Sequence, residues 1–370
     1  MSFEERQAKK EKLRKESEKK HKGKLRKRSG QKYLFPTGIY SLDRSLNGGL
    51  PRGRIIEIYG GESSGKTTNA SIIASSVNTI NYSTGEIDFT YEDPSSVWIG
   101  DMEDTYDPIW GRKLGFDSEK YGNDVDYVLG GDTLCDTVVD HINDDSYSLY
   151  IVDCTDQCYP SEVLEGEYAI NDLGLRSRAL ARCMRKWQTA LAKSYKRNED
   201  TPWKIPSIIL LSHGKPIFMD KFGRWESDAG KNIRFYCSVR IYLSQNKINK
   251  EGTADFGKGK MTALVKKNKV TGAAGMVSEY FIQLADGDNE AGYLDNVKPI
   301  FKDMDDFGIM KRLSQSKVSV NGVEYKNQKE LKTKMYDDPD FLAEMWQQCT
   351  DYVASGGVEF EIDENQIDED

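Results

Sequence analysis

Short apolar runs alternate with helix-like stretches through the middle of the chain. The runs lie at residues 54–59, 97–101, 148–153, 205–212 and 239–243. One helix-like stretch begins at Gly65, and a second, longer one covers residues 171–196. Nearly continuous apolar strands separated by helices indicate a parallel sheet covered by helices on its faces. The pattern predicts an α/β core over residues 37–270, built on a mostly parallel twisted sheet.

Residues 79–94 do not follow this alternation of strand-like and helix-like stretches. Apolar and aromatic residues there nearly alternate around Thr84 and Gly85: Ile80, Tyr82, Ile87, Phe89 and Tyr91. This alternation predicts an inserted β-hairpin. Short strand-like stretches and a helical segment at 340–353 predict a small α+β region over residues 271–357.

The two ends of the chain carry opposite charge, which the net charge of −8 conceals. Lysine and arginine dominate residues 1–32, whereas residues 359–370 hold seven acids and no base. We expect residues 1–36 to form a basic, helical arm that docks on a neighbouring subunit; a disordered tail is the alternative. Residues 358–370 are expected to be a disordered acidic tail.

The composition argues against a membrane or secreted protein. No apolar run approaches the roughly 20 residues needed to cross a bilayer, and the N-terminus lacks the apolar centre of a secretory signal. The six cysteines are scattered, which favours reduced structural thiols. We therefore expect a cytoplasmic protein with no membrane partner.

One motif carries specific chemistry. Its eight residues are Gly60, Gly61, Glu62, Ser63, Ser64, Gly65, Lys66 and Thr67. They match the phosphate-loop pattern G-x-x-x-x-G-K-[ST] between a strand-like run and a helix-like stretch. The motif predicts a nucleoside triphosphate bound by main-chain N–H groups, with Lys66 at the β- and γ-phosphates and Thr67 on Mg²⁺.

A second group is needed near the magnesium ion, because Mg²⁺ prefers carboxylate oxygen or water held by an acid. Asp153 ends the apolar run 149–153 and is the best candidate. A strand-end acid that only starts a turn is the alternative.

Further segments resemble the RecA recombinase family in the family's order along the chain. They are residues 48–60 with 62–68, 107–115, 165–167, 184–186, 234–240 and 267–269. The resemblance covers the middle of the chain and is weak at both ends. It implies a RecA-like ATPase core that uses ATP and Mg²⁺.

The resemblance also assigns roles at the nucleotide site. Glu103 matches the carboxylate that activates the attacking water, and Asp107 and Trp110 match positions that contact adenine. Thr68 extends the ATP-binding segment. His213 stands where most relatives carry a γ-phosphate-sensing Gln; phage recombinases of the UvsX type have His there. For Glu103 and His213 the alternatives are a surface acid and a chance strand-end histidine.

Two lysines complete the implied catalytic set. Lys267 and Lys269 match a Lys-Asn-Lys that reaches the ATP of the neighbouring subunit, so ATP is expected at subunit interfaces. A solvated basic strand end is the alternative reading of residues 266–269.

The same resemblance implies two DNA-facing loops, near residues 160–171 and 214–231. The candidate DNA-binding residues combine cations for phosphates with aromatic rings for stacking. They are Arg176, Arg178, Lys215, Lys221, Phe222, Arg224, Trp225 and Lys231. A solvated basic surface is the alternative.

The function implied is an ATP-dependent DNA recombinase of a bacterial or phage-infected cell. It would form helical homo-oligomeric filaments on single-stranded DNA and exchange strands with homologous duplex DNA. Single-strand-binding and mediator proteins are candidate partners. A hexameric RecA-fold helicase or other DNA-dependent ATPase remains an alternative, as does a non-catalytic single-strand coat or mediator protein.

Overall fold

The structure is a computed structural model in which two compact units, residues 1–32 and 33–370, are distinguished. It describes residues 9–12, 15–16, 33–164, 166, 174–217, 225–230, 232–247, 257–286 and 289–355. In the first unit, residues 9–12 and 15–16 are helical, and Lys15 Nζ lies 3.6 Å from Glu11 Oε1. The rest of the predicted basic arm up to residue 32, and the acidic tail, lie outside the described residues.

In the second unit the strands are β1 Leu34–Phe35, β2 Leu50–Pro51, β3 Ile55–Gly60, β4 Val97–Asp101, β5 Asp124–Tyr127, β6 Leu149–Asp153, β7 Ser207–Pro216, β8 Trp225–Ser227, β9 Val239–Lys247, β10 Lys258–Asn268, β11 Val277–Gln283, β12 Lys311–Arg312, β13 Val318–Val320 and β14 Val323–Tyr325. The α-helices are α1 Tyr40–Leu46, α2 Lys66–Asn78, α3 Pro108–Lys113, α4 Gly131–Asn143, α5 Ser161–Leu164, α6 Leu175–Arg197, α7 Ile233–Tyr236, α8 Val297–Asp306, α9 Gln328–Asp337 and α10 Pro339–Ala354. Among the described residues, no helix combines the length and apolarity needed to cross a bilayer.

One sheet organises the second unit. Its order is β11-β10-β9-β3-β7-β6-β4-β5, with β8 paired to β7. The strands from β9 through β3, β7, β6 and β4 to β5 run parallel, whereas β10, β11 and β8 are antiparallel additions. The predicted α/β class, with a mostly parallel sheet between helices, is confirmed.

Alternate residues of the central strands pack into two cores on opposite faces of the sheet. Ile209 and Leu211 of β7 belong to the core that includes α2, whereas Ile208 and Leu210 belong to the core that includes α4 and α6. These four side chains are fully buried, and each such burial is worth about 1.5–3 kcal/mol. Burial on both faces explains why these strands are apolar at nearly every position.

The hairpin predicted over residues 79–94 is confirmed as an antiparallel reversal of the chain around Thr84 and Gly85, but not as a pair of regular strands. The segment makes two isolated antiparallel bridges, Ile80 with Ile87 and Asn81 with Pro94, rather than paired strands. The Asn81 side chain accepts hydrogen bonds from the main-chain N–H groups of Ser83 and Thr84. Asn81 O also accepts from Gly85 N, so local turn bonds engage main-chain groups that a regular ladder would need.

The sheet continues past residue 270, where we placed the end of the core. Strand β11 pairs with β10 from Val277 to Gln283, because the antiparallel turn after β10 brings it back along the same edge. Beyond it, α8, α9 and α10 and the small sheet β12-β13-β14 enclose a third core with Tyr40 of α1. Tyr40 Oη donates a 2.7 Å hydrogen bond to Asp303, which fastens this C-terminal part to the start of the core.

A buried ion pair interrupts the apolar centre of the sheet. Arg240 of β9 is 1% exposed and donates to Glu57 of β3 and to Glu226 of β8, both over 2.6 Å. Burial opposes the charge of Arg240, but the two carboxylates outweigh it and raise the pKa of the guanidinium. The pair therefore joins three strands of the sheet.

Candidate functional site

The phosphate-loop motif lies at the carboxyl end of β3. Gly60 is the last residue of β3 and Lys66 is the first of α2, so the loop leads directly into a helix N-terminus. Gly65 has φ +84°, a conformation that L side chains rarely adopt, and a Cβ there would also lie 2.4 Å from Met261 Cε, so this position favours glycine. The free N–H groups of a helix N-terminus favour an anion. The segment is therefore shaped to hold phosphate.

Lys66, Thr67 and Asp153 meet beside this loop. Lys66 Nζ donates to the carbonyls of Gly60 at 3.3 Å and Gly61 at 3.0 Å. Thr67 Oγ1 donates to Asp153 Oδ2 over 2.6 Å. Burial, opposed by the Thr67 bond, raises the pKa of Asp153 to about 6, and Glu103 and Asp101 add to the rise.

A hydroxyl and a buried carboxylate at this spacing offer the hard oxygen ligands that Mg²⁺ prefers. Thr67 and Asp153 thus fit a magnesium ion in their donor chemistry. A cation at this position would also favour the ionised form of Asp153, whose charge burial disfavours.

Glu103 lies between two other polar side chains. Its Oε1 accepts from Cys154 Sγ at 2.6 Å and lies 3.2 Å from His213 Nε2. Burial would raise the pKa of Glu103, but the contacts with Cys154 and His213 and the charge of Lys66 lower it overall. Because an ionised carboxylate only accepts, the second contact requires the proton on Nε2. Glu103 is thus held as a carboxylate.

Strand order brings these residues together. The carboxyl ends of β3, β7, β6 and β4 lie side by side, with Gly60 in register with His213 and Asp153 with Asp101. Open α/β sheets bind ligands at this edge. Asp101, which sequence reasoning did not single out, accepts from the N–H groups of Glu103, Thr105 and Tyr106 and so shapes the loop that carries Glu103.

The site opens into a cavity of about 590 Å³. Sequence-predicted residues in its lining are Glu62, Ser63, Ser64, Gly65, Lys66, Thr67, Thr68, Glu103, Trp110, Asp153 and His213. Trp110 Nε1 donates to Thr68 Oγ1 at 3.2 Å, which fixes the ring at the wall. Asp107 lies outside this lining, and its Oδ1 caps α3 by accepting from Ile109 N and Trp110 N.

Five cavity residues escaped the sequence analysis: Gln245, Gly257, Lys258, Leu284 and Ala285. They come from the end of β9, the start of β10 and the segment after β11, which the antiparallel pairing turns toward the phosphate loop. The sequence carries no motif at these positions. Only the pairing of the strands identifies them.

Lys267 and Lys269 lie at the other end of the sheet. Lys267 is in register with Arg240, which pairs with Glu57 near the start of β3, whereas the phosphate loop follows the end of β3. The Lys267 ammonium donates to the carbonyl of Arg234. Neither lysine lines the cavity of its own chain, so their catalytic role stays a prediction about a neighbouring subunit.

An ion-pair network links two candidate DNA-binding residues to the nucleotide site. Arg176 contacts Asp156 at 3.1 Å and Asp228 at 3.2 Å, and Lys215 also pairs with Asp228. Asp156 in turn accepts from the main-chain N–H of His213 at 2.7 Å. The network joins α6, β7 and the turn after β8 to the histidine at the cavity.

The other candidate DNA-binding residues lie outside this ion-pair network. Trp225 stacks on Tyr242, and a Cβ on Gly61 would lie 3.3 Å from its ring, so this indole packs beside the phosphate loop. Arg178 lines a separate cavity of about 240 Å³ along α6. Lys221, Phe222, Arg224 and Lys231, and half of the predicted loop at 160–171, lie outside the described residues.

Comparison with known proteins gives a consistent result. The family profile of the RecA N-terminal domain matches residues 10–282. A relative named Protein RecA from Rhodopirellula baltica is 31% identical over 236 residues, 63% of this chain and 56% of the relative. One from Trichormus variabilis is 26% identical over 87% of this chain and 81% of the relative. One from Streptomyces ambofaciens is 30% identical over 64% of this chain and 57% of the relative. The matched region thus spans little more than half the length of two of these relatives.

Proposed function

This chain belongs to the RecA family, and from that premise we propose that it is an ATP-dependent DNA recombinase. It would form helical filaments on single-stranded DNA and catalyse homologous pairing and strand exchange, with ATP hydrolysis. The observation that carries the proposal is the convergence of Thr67 with Asp153, and of Glu103 with His213, in the cavity lined by the phosphate loop.

Each residue then has a role in phosphoryl transfer. The loop N–H groups and Lys66 hold the β- and γ-phosphates, and Thr67 and Asp153 hold Mg²⁺, which when bound neutralises phosphate charge. Glu103 orients the attacking water and accepts its proton, since its lowered pKa keeps it ionised. His213 lies within hydrogen-bond distance of Glu103 and its main-chain N–H is held by Asp156. It is therefore suited to report the state of the γ-phosphate to the Arg176 network.

The partners follow from the same assignment. Single-stranded DNA would lie along the segments that carry Arg176 and Lys215 and along the predicted loops at 160–171 and 214–231. Lys267 and Lys269 would complete the ATP site of the adjoining subunit. We place the protein in the cytoplasm, where its DNA substrates are.

Electron microscopy and a strand-exchange assay test this proposal together. The full chain is mixed with single-stranded DNA and a slowly hydrolysed ATP analogue, with Lys66→Ala as control. Helical filaments, and strand exchange that requires ATP and Lys66, are expected. Closed hexameric rings that unwind duplex DNA would indicate a helicase instead. Equal DNA coating by both proteins without nucleotide would indicate a coat protein.

A further inference from the structure

Three side chains with different metal-binding chemistry meet at the wall of the nucleotide cavity. The ligand atoms of Glu103, Cys154 and His213 all lie within 4.8 Å of one another. The same oxygen, Glu103 Oε1, contacts both the Cys154 sulfur and the His213 nitrogen. Cys154 is 1% exposed, whereas the other two side chains are partly open to the cavity. The Cys154 sulfur therefore lies on the buried side of the group, and Glu103 and His213 lie on the side that faces the cavity.

The donor set selects among metals. Around a tetrahedral Zn²⁺, bond lengths of about 2.0–2.3 Å place sulfur, nitrogen and oxygen ligands about 3.4–3.6 Å apart. From the present structure, the Cys154 Sγ–Glu103 Oε1 distance of 2.6 Å would have to lengthen by about 1 Å, and the His213 Nε2–Glu103 Oε1 distance of 3.2 Å by about 0.2 Å. Thiolate and imidazole suit Zn²⁺ and similar thiophilic ions, whereas Mg²⁺ prefers oxygen alone.

We propose that Glu103, Cys154 and His213 form a three-ligand site for a thiophilic divalent cation of the Zn²⁺ class, with its fourth position facing the cavity. The cation replaces the Cys154 thiol proton, which leaves to solvent, and binds the lone pair of His213 Nε2 after the ring proton moves to Nδ1. No electrons are transferred.

This site is distinct from the magnesium position. The Asp153 carboxylate and the Thr67 hydroxyl are bonded to each other, and neither belongs to the group of three. Occupation by Zn²⁺ would take the Glu103 carboxylate as a ligand. ATP hydrolysis would then stop, because the carboxylate could no longer accept a proton from water.

Metal binding is measured on the full chain without nucleotide or DNA. Zn²⁺ is titrated in competition with a chromogenic chelator, and Co²⁺ serves as an optical probe of thiolate ligation and tetrahedral geometry. We expect one tight site per chain, a thiolate-to-cobalt charge-transfer band, and at least about tenfold weaker binding in Cys154→Ser and in His213→Gln. Cys349→Ser and His141→Gln are the matched controls and should bind as the unmodified chain does.

Two kinds of result would contradict the three-ligand site. Equal Zn²⁺ affinity in Cys154→Ser, or a Co²⁺ complex without the thiolate band, would overturn the site, because serine preserves the shape of the side chain. Binding that is lost instead in His141→Gln or Cys349→Ser would place the metal elsewhere.

A second arm rests on the proposed ATPase activity. Micromolar Zn²⁺ should inhibit hydrolysis in excess Mg²⁺, and a Zn²⁺-selective chelator should restore it. If the unmodified chain hydrolyses no ATP, the proposed function fails while the binding result still stands. Active protein that binds Zn²⁺ at this site without inhibition would overturn the regulatory part of the proposal.

Discussion

Glu103 receives hydrogen bonds from a thiol and an imidazole, and both contacts favour its ionised form. Glu103→Gln removes the base while leaving a side chain of the same shape. We expect ATP binding to persist and hydrolysis to fall by about 10²-fold or more. Steady-state hydrolysis and binding of a fluorescent ATP analogue measure the two effects separately.

Glu119→Gln is the matched control, since Glu119 is an exposed acid outside both the phosphate loop and the cavity lining. It should leave the rate of hydrolysis within a few fold of the unmodified protein. If Glu103→Gln weakens ATP binding as much as hydrolysis, Glu103 has a structural role instead.

Asp43 is buried at the start of α1, where its carboxylate accepts from Thr37 N at 2.9 and 3.1 Å. Burial outweighs these bonds and raises its pKa from 3.8 to about 7. The folded state therefore binds the proton more tightly than the unfolded state. The contribution of Asp43 to stability is full below about pH 4 and is lost as pH rises through 7.

Asp43→Asn should remove this dependence. The variant and the unmodified chain should be similarly stable near pH 4, and the variant should be more stable at pH 8 by up to about 4 kcal/mol. Urea unfolding at several pH values measures the difference. Asp200→Asn, on an exposed turn, controls for the lost charge. If the difference in stability between Asp43→Asn and the unmodified chain stays the same from pH 4 to pH 8, the expectation is contradicted.

At the scale of elements, Asp228 pairs with both Arg176 of α6 and Lys215 of β7. If Arg176 and Lys215 bind DNA phosphates as proposed, this acid competes with DNA for both cations. Asp228→Asn should strengthen binding of single-stranded DNA several-fold and make it more sensitive to salt, because more counterions are released. Binding measured over a range of salt concentrations tests this.

Asp305→Asn is a suitable control, because it also removes an acid from an exposed arginine pair but lies in the C-terminal region. It should leave DNA binding unchanged. Weaker DNA binding by Asp228→Asn would mean that Asp228 holds the two cations in a geometry that binding needs.

The central elements were predictable because each carries its own signal. The apolar runs at 97–101 and 148–153 match β4 and β6 within one residue, since strands buried on both faces must be apolar throughout. Strand β5 carries no such signal: its residues Asp124, Val125, Asp126 and Tyr127 lie at the sheet edge and are mostly exposed. An edge strand is held by main-chain bonds to one neighbour, so its side chains need not be apolar.

For the whole molecule, the main question is whether two chains share one ATP site. Lys267 and Lys269 lie at the end of the sheet away from their own phosphate loop. If they serve the neighbouring subunit, the double variant Lys267→Ala/Lys269→Ala should bind ATP as a monomer but lose DNA-stimulated hydrolysis. The reason is that extra cations are needed as charge shifts in the transition state.

Mixing this variant with Lys66→Ala provides the sharper test. A junction with Lys66 from one chain and the two lysines from the other holds a complete site, so hydrolysis should recover at intermediate ratios. Each variant mixed with unmodified protein gives the reference curves. Mixed filaments that form but recover no activity at any ratio would count against a shared site.

The sequence by itself determined the phosphate loop and the positions of the central strands along the chain. Both features depend on residues that are adjacent in the sequence. The loop needs glycines, lysine and threonine at fixed spacing, and each strand needs a local apolar run. Tertiary structure alone decided which distant side chains meet. Glu103 reaches Cys154 and His213, and Arg240 reaches Glu57, because parallel pairing sets strands from distant parts of the sequence side by side. No local pattern encodes those contacts, since they depend on strand order and register rather than on neighbours in the chain.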